Sequence, residues 1–278
     1  MDALEAFILG LVQGVTEFLP ISSSGHLRIA SALLGQDLET DLLFDLMVHF
    51  GTLISILIYF RERLTKLLFS VFRVLGAPIS SFKGWDSDYE LRFNTFILLS
   101  MIPAAVAGFT IRDQVEGVFA NPIGISAMFM VTGFLLYATK FFDEGTKGLT
   151  LKNTFLVGVA QAFALLPGVS RSGMTISVAV FLGIKRDDIA NFTFIMMIPV
   201  VAGATLLDLL KLDLDGMPEG LMLALVIGFF TALISGYFAL KYLIILFKSR
   251  GIFYFAWYCW AVGIMGLTWF WLLGNSGV

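Results

Sequence analysis

Six stretches of this 278-residue chain, roughly 43–60, 93–111, 122–139, 190–210, 221–247 and 252–273, stay apolar over the length of a bilayer crossing. A crossing needs about 20 predominantly apolar residues, because about 30 Å of hydrocarbon is spanned at about 1.5 Å per residue. Composition agrees: 58% of residues are hydrophobic and only 14% are charged, against about 25% charged in a soluble domain. A soluble enzyme, a nucleic-acid binder and a disordered chain are excluded. An outer-membrane barrel would alternate apolar and polar residues along each strand, and these stretches do not. The expected class is an all-α polytopic membrane protein with the lipid bilayer as its surroundings. The net charge of −3 points to no polyanionic partner, and the lone Cys259 cannot form an intrachain disulfide. The opening Met1-Asp2-Ala3-Leu4-Glu5 carries acids where a signal peptide needs Lys or Arg, so the first segment is expected to belong to the fold.

Two further apolar stretches, roughly 3–34 and 154–183, are broken in the middle by proline, glycine and serine. The breaks read Leu19-Pro-Ile-Ser-Ser-Ser-Gly25 and Leu166-Pro-Gly-Val-Ser-Arg-Ser-Gly173. A continuous helix cannot run through either. Broken backbone at membrane depth is tolerated only where protein or a wet cavity covers it. Both stretches are therefore expected to be re-entrant helical hairpins.

The basic residues orient such a chain. With both hairpins returning to the side they entered, Arg61, Arg63, Lys66, Arg73, Lys83, Arg92, Lys140, Lys147, Lys152, Lys185, Arg186, Lys241, Lys248 and Arg250 fall on or near one face. Only Arg112 and Lys211 fall on the other, and Arg28 and Arg171 sit in the hairpins. The positive-inside rule makes the first face cytoplasmic, with both termini outside. The chain, 1–278, then reads as one membrane domain built from two inverted-topology repeats, about 1–140 and 150–274, each a hairpin followed by three crossings. Gln13 aligns with Gln161, and Ser22-Ser23-Ser24-Gly25 with Ser170-Arg171-Ser172-Gly173, at one offset of 148. Discontinuous segments at matching positions of two halves point to a binding site.

The hairpins also carry the chemistry. Gln13 and Glu17 are four apart and share a helix face. An ionisable group at membrane depth is costly and functional by default. Glu17 is either a structural carboxyl or one that binds a divalent cation or handles a proton. An oxygen-only pair of Glu17 and Gln13 suits Mg2+ or Ca2+. After Pro20, small residues permit an anion-cradling backbone, with Ser22, Ser23, Ser24 and Gly25 either capping the next helix or touching substrate. Ser23 is a potential nucleophile, and His26 a potential base, acid or nucleophile. The second break supplies Ser170, Arg171, Ser172, Gly173 and Thr175. The guanidinium of Arg171 suits bidentate phosphate binding, or it pairs structurally with Glu17. Helix N-termini favour phosphate, and the whole set suits phosphoryl transfer. Asp45 and His49 share a face of the first crossing, either as a structural pair or lining the same cavity. Segment 62–83 is basic and amphipathic and reads as a surface helix. Trp257, Trp260, Trp269 and Trp271 read as aromatic-belt or lipid-facing residues.

The stretch Gln13-Gly-Val-Thr-Glu-Phe-Leu-Pro-Ile-Ser-Ser-Ser-Gly-His26 and the stretch Pro167-Gly-Val-Ser-Arg-Ser-Gly-Met-Thr175 resemble the two signature motifs of the undecaprenyl-diphosphate phosphatase family, the bacitracin-resistance proteins. The resemblance extends to Phe44-Asp45, His49-Phe-Gly51-Thr52 and Ile198-Pro199 through Asp208. It implies a phosphatase of the cell membrane that converts undecaprenyl diphosphate to undecaprenyl phosphate and recycles the lipid carrier for cell-wall synthesis. It further implies divalent-metal dependence with Glu17 as ligand, an extracytoplasmic-facing site, homodimers and bacitracin resistance. Matching positions assign Glu17, Ser23, His26, Arg171 and Thr175 to the site, with Gln13, Ser22 and Ser170 in support. The first motif position is often glutamate in that family and is Gln13 here; a neutral amide adds no second metal charge. The nucleophile stays open between Ser23, His26 and a water activated by His26. A carrier or flippase for a lipid phosphate is the alternative from another class, since paired hairpins in inverted halves are transporter architecture.

Overall fold

The computed structural model describes residues 1–36, 42–76, 85, 87–111, 114–115, 121–210, 221–248 and 251–275. Among them the chain forms eleven α-helices and no strand. They are α1 (Ala3–Phe18), α2 (Ser23–Leu33), α3 (Leu42–Tyr59), α4 (Arg61–Gly76), α5 (Tyr89–Thr110) and α6 (Pro122–Ala138). The second group is α7 (Leu151–Phe163), α8 (Arg171–Phe181), α9 (Arg186–Leu209), α10 (Leu221–Lys248) and α11 (Phe255–Asn275). Lys83, Arg112, Lys211 and Arg250 of the charge pattern lie outside the described residues, as do the side chains of Asp208 and Trp271.

Helices α3, α5, α6, α9, α10 and α11 are long and apolar enough to cross a bilayer, so the protein is a multi-pass membrane protein. Their ends follow from local chemistry. Asp88 caps α5 by accepting from the backbone N–H groups of Glu90 and Leu91. Asn121 caps α6, and Pro122 takes the first position, where no N–H is needed. The two broken stretches are indeed split, into α1 and α2 and into α7 and α8. At 16, 11, 13 and 11 residues, each is shorter than the about 20 residues a bilayer crossing takes. Capping boxes start α1, with Asp2 and Glu5, and α7, with Thr150 and Asn153.

Helices distant in sequence are interlocked. Helix α1 packs along α10, and α7 packs along α5. Small residues permit both crossings, as expected where lipid leaves packing as the main attraction. A Cβ on Gly10 would lie 2.7 Å from the carbonyl oxygen of Gly228, and one on Gly158 would strike the Ser100 carbonyl. Gly10 and Gly158 are separated by the same offset of 148 that relates the serine clusters.

The main core joins α3, α5, α9, α10 and α11 through Ile56, Phe93, Phe192, Phe194, Leu243 and Cys259. A smaller cluster of Leu9, Leu27, Phe44, Val48 and Leu225 fixes α1 and α2 on α3 and α10. The outer surface is apolar, with Leu98, Phe109, Phe134, Ile234 and Phe238 exposed. So extensive an apolar exterior is untenable in water and natural in lipid. Helix α4 exposes Phe69, Phe72 and Leu75 and is tied to α5 by the ion pairs Arg63–Glu90 and Arg73–Asp88, at 2.7 and 2.6 Å. It matches the surface helix expected from the sequence, over its described part.

The α5–α7 crossing is directly testable. Gly158→Val is expected to lower the unfolding temperature of the purified protein, since overpacking costs about 1–3 kcal/mol. Gly108→Val, which meets no neighbouring atom, is the control. Equal unfolding temperatures would contradict the close approach.

Candidate active site

Helix α1 ends at Phe18 because Pro20 follows. The chain then turns sharply, with the Ile21 N–H donating to the Leu19 carbonyl at 2.8 Å. Ser22 adopts φ +68°, and no other non-glycine residue has a positive φ among the described residues. Such strain persists only where the surroundings over-determine it. The Ser22 carbonyl accepts from the backbone N–H of His26 at 3.2 Å and also meets His26 Nδ1 at 2.8 Å.

The second break is built differently. Gly168 takes φ +92° against the backbone of Ile125. Ser170 caps α8 by accepting from Gly173 N–H at 3.1 Å, and its own N–H donates to Thr132 Oγ1 at 3.1 Å. The two breaks meet, because Ser172 Oγ donates to the Leu19 carbonyl at 3.2 Å across 153 residues of sequence. Both also rest on α6: Gly25 lies against Phe129, and Gly173 against Thr132.

Glu17 is buried at this junction with 8% exposure. Its Oε2 accepts from Gln13 Nε2 at 2.9 Å and from Ser23 Oγ at 2.6 Å. The His49 Nε2 stands 4.0 Å away. His49 is itself held by Asp45, its Nδ1 lying 2.9 Å from the Asp45 carbonyl and 3.5 Å from Oδ1. Asp45 and His49 thus form the pair that their spacing suggested, and the pair also faces Glu17. Arg171, at the first turn of α8, lies within electrostatic range of both Glu17 and His49. Its Nη1 is buried and makes no hydrogen bond, and neither does Gln13 Oε1. A structural Glu17–Arg171 salt bridge does not form; no N–O distance between them is within 4.0 Å. Glu17 also borders a cavity of about 10 Å³ between α3 and α9, beside Thr52 and Met197, enough for about one water molecule.

His26 points elsewhere. Its Nε2 lies 2.7 Å from the hydroxyl of Tyr258 on α11. Its ring stacks on Tyr258, with centroids 5.5 Å apart at 12°, and meets the edge of Phe129. Both ring nitrogens are engaged, and neither contacts Ser23 or Glu17. The other expected residues divide. Ser22 and Gly25 shape the break, while Ser24 is exposed on the first turn of α2. Ser170, Ser172 and Gly173 build the second break, and Thr175 donates back to the Arg171 carbonyl at 2.9 Å. Cys259 is packed, its thiol 3.7 Å from the Pro20 carbonyl. Tyr258 was invisible in the sequence as one aromatic residue within an aromatic-rich span.

The arrangement offers a hydroxyl bonded to a carboxylate, a guanidinium with an unused donor and two helix N-termini, a set suited to phosphate. Comparison with known proteins agrees. The model of the family described as "Bacitracin resistance protein BacA" matches residues 6–265. The undecaprenyl-diphosphatase of Methanobrevibacter smithii is 39% identical over 271 residues, covering 95% of this chain and 96% of the relative. The undecaprenyl-diphosphatase of Salinibacter ruber is 39% identical over 270 residues, covering 97% and 98%. That of Bacteroides fragilis is 39% identical over 272 residues, covering 96% and 98%. With both serine-containing breaks inside the matched region, the chain belongs to the bacitracin resistance protein BacA family.

Proposed function

We propose that the protein hydrolyses undecaprenyl diphosphate to undecaprenyl phosphate and inorganic phosphate, a reaction that returns the lipid carrier to cell-wall synthesis and confers bacitracin resistance. The observation that carries this reading is the 2.6 Å hydrogen bond from Ser23 Oγ to Glu17 Oε2, beside the unsatisfied Nη1 of Arg171. The relatives bear the name of such a phosphatase, and the carrier reading gains no support from them.

The geometry favours Ser23 over His26 as nucleophile. Glu17 is in place to take the hydroxyl proton, whereas both nitrogens of His26 are already bonded. Oγ attacks the terminal phosphorus, the bond to the bridging oxygen breaks, and undecaprenyl phosphate leaves. Glu17 passes the serine proton to the departing undecaprenyl phosphate. Water then gives a proton to Glu17 as its oxygen bonds to phosphorus, the bond from phosphorus to Oγ breaks, and Glu17 returns the proton to Oγ. Arg171 binds the phosphoryl oxygens with its buried Nη1, which has no hydrogen-bond partner. The N–H groups that open α2 and α8 add partial positive charge. The prenyl chain stays in lipid.

A divalent ion fits the residues present. Glu17 supplies one carboxylate and Gln13 Oε1 is a buried acceptor without a partner. Among the described residues no group of three or more His, Cys, Asp and Glu could hold a metal. One carboxylate, one amide oxygen and the substrate's own phosphates match the way Mg2+ is usually held. When bound, the ion would neutralise phosphate charge.

The hairpins α1–α2 and α7–α8 are read as re-entrant, related as inverted repeats, with the site opening to the extracytoplasmic face of the cell membrane. The shortness of the four helices and the interlocked packing support this. Two copies assemble as a homodimer in this reading, which cross-linking in membranes tests.

Purified protein in detergent is expected to release phosphate from a prenyl diphosphate with Mg2+ or Ca2+, and to lose the activity on chelation. Glu17→Gln, Ser23→Ala and Arg171→Ala are each expected to lower kcat by about 100-fold or more, as loss of a transition-state contact does, without loss of expression. Wild-type rates in any of the three would remove that residue from the site. In a Cys259→Ala background, Ser24→Cys should react with an impermeant thiol reagent from outside intact cells and Lys152→Cys should not. The reverse pattern would invert the topology.

A further inference from the structure

The two ring nitrogens of His26 are not equivalent, and the structure tells them apart. Nδ1 lies 2.8 Å from the Ser22 carbonyl. A carbonyl can only accept, so Nδ1 carries the proton. In the neutral imidazole Nε2 is then the lone-pair nitrogen, and it receives the Tyr258 hydroxyl at 2.7 Å. The ring is clamped between aromatic side chains from two helices, Phe129 of α6 at its edge and Tyr258 of α11 on its face. Gly25 makes room for Phe129, since a Cβ there would sit 2.7 Å from its ring.

The partners come from separate parts of the chain. Ser22 belongs to the first break, and Tyr258 lies 232 residues away on the last helix. Tyr258 itself is 44% exposed. The polar groups beside Glu17 come instead from α1, α2, α3 and α8. The site therefore has two poles joined by α2, with Ser23 facing one and His26 facing the other.

We propose that Tyr258 is a positioning residue for His26: its hydroxyl directs Nε2 towards α11, away from Ser23, and holds the imidazole with Nδ1 protonated against the Ser22 carbonyl, so that the turn presenting Ser23 to phosphate stays fixed. A hydroxyl both donates and accepts. Tyr258 therefore keeps the same orientation whether Nε2 carries a lone pair or a proton. Holding the ring in advance avoids the loss of side-chain freedom that ordering it during reaction would cost. This rests on His26 belonging to the phosphatase site, which the test separates from the geometry.

The test is Tyr258→Phe, which keeps the stacked ring and removes only the hydroxyl. The chain has two histidines, so ring-15N spectra of the labelled protein in detergent are assigned with a His26→Gln sample. Wild-type His26 is expected to show a protonated Nδ1 and a hydrogen-bonded, unprotonated Nε2. In Tyr258→Phe the Nε2 signal should move to that of a non-bonded lone-pair nitrogen. Phosphate release should show kcat lower by about tenfold, with KM changed less than about twofold, as for an interaction that matters in the transition state. An unchanged Nε2 signal overturns the hydrogen bond. A wild-type kcat in Tyr258→Phe with a loss in Tyr258→Leu makes the residue packing alone and overturns the proposal. If the wild-type protein releases no phosphate, the proposed activity fails while the 15N comparison still decides whether Tyr258 holds His26.

Discussion

Every backbone polar group at membrane depth must find a partner inside the protein, and this requirement organises the structure around its two helix breaks. A continuous helix meets it by itself. A break exposes the last carbonyls of one helix and the first N–H groups of the next. Here the exposed carbonyls are taken by side chains: those of Leu19 and Pro20 by Ser172 and Cys259 from far along the chain, and that of Ser22 by His26 four residues on. Each unsatisfied group in hydrocarbon would cost several kcal/mol. The breaks lie against each other and against α6. The same contacts collect the polar side chains, so the solution to a folding problem is also the construction of a site.

Glu17 shows how this is done for a charge. A carboxylate in a low-dielectric setting is strongly disfavoured unless donors and counter-charges surround it. Gln13 and Ser23 donate to one oxygen, His49 stands at 4.0 Å, and Arg171 acts from across the junction. None of these partners is a rigid bidentate ion pair, and Arg171 keeps a buried donor unused. A purely structural charge would be expected to consume that donor. Instead Arg171 keeps a buried Nη1 that, in the proposed mechanism, would meet an incoming anionic group.

Much of this was legible from spacing. Bilayer-length apolar runs marked the six crossings, and Pro and Gly marked the breaks, because both signals are local. The shared face of Gln13 and Glu17 followed from a separation of four on a helix, and the structure adds the hydrogen bond between them. The partners of His26 did not follow. Its neighbour Ser23 differs from it by three positions, yet the turn at Ser22 and the aromatic clamp send the two side chains to different poles. Nothing in the residues around position 258 distinguishes Tyr258 from the other aromatics of its span. A contact across 232 residues is set by how the helices interlock, and that interlock comes from small residues such as Gly10 and Gly158. Those glycines were present in the sequence, but which helices they bring together is a tertiary fact.

The departure at Gln13 takes on physical meaning in this setting. A second carboxylate at that position would share a helix face with Glu17, and two carboxylates so close resist ionising together unless a cation neutralises them. With glutamine, the amide N–H stabilises Glu17 while the carbonyl oxygen stays free. In the proposed mechanism, Glu17 would then be held as the acceptor for the Ser23 proton without a resident ion, and a divalent ion would arrive together with the diphosphate that helps to bind it. In the proposed mechanism, an amide in place of a carboxylate would couple metal affinity to the presence of substrate, because the phosphates would supply the negative charge that Gln13 lacks.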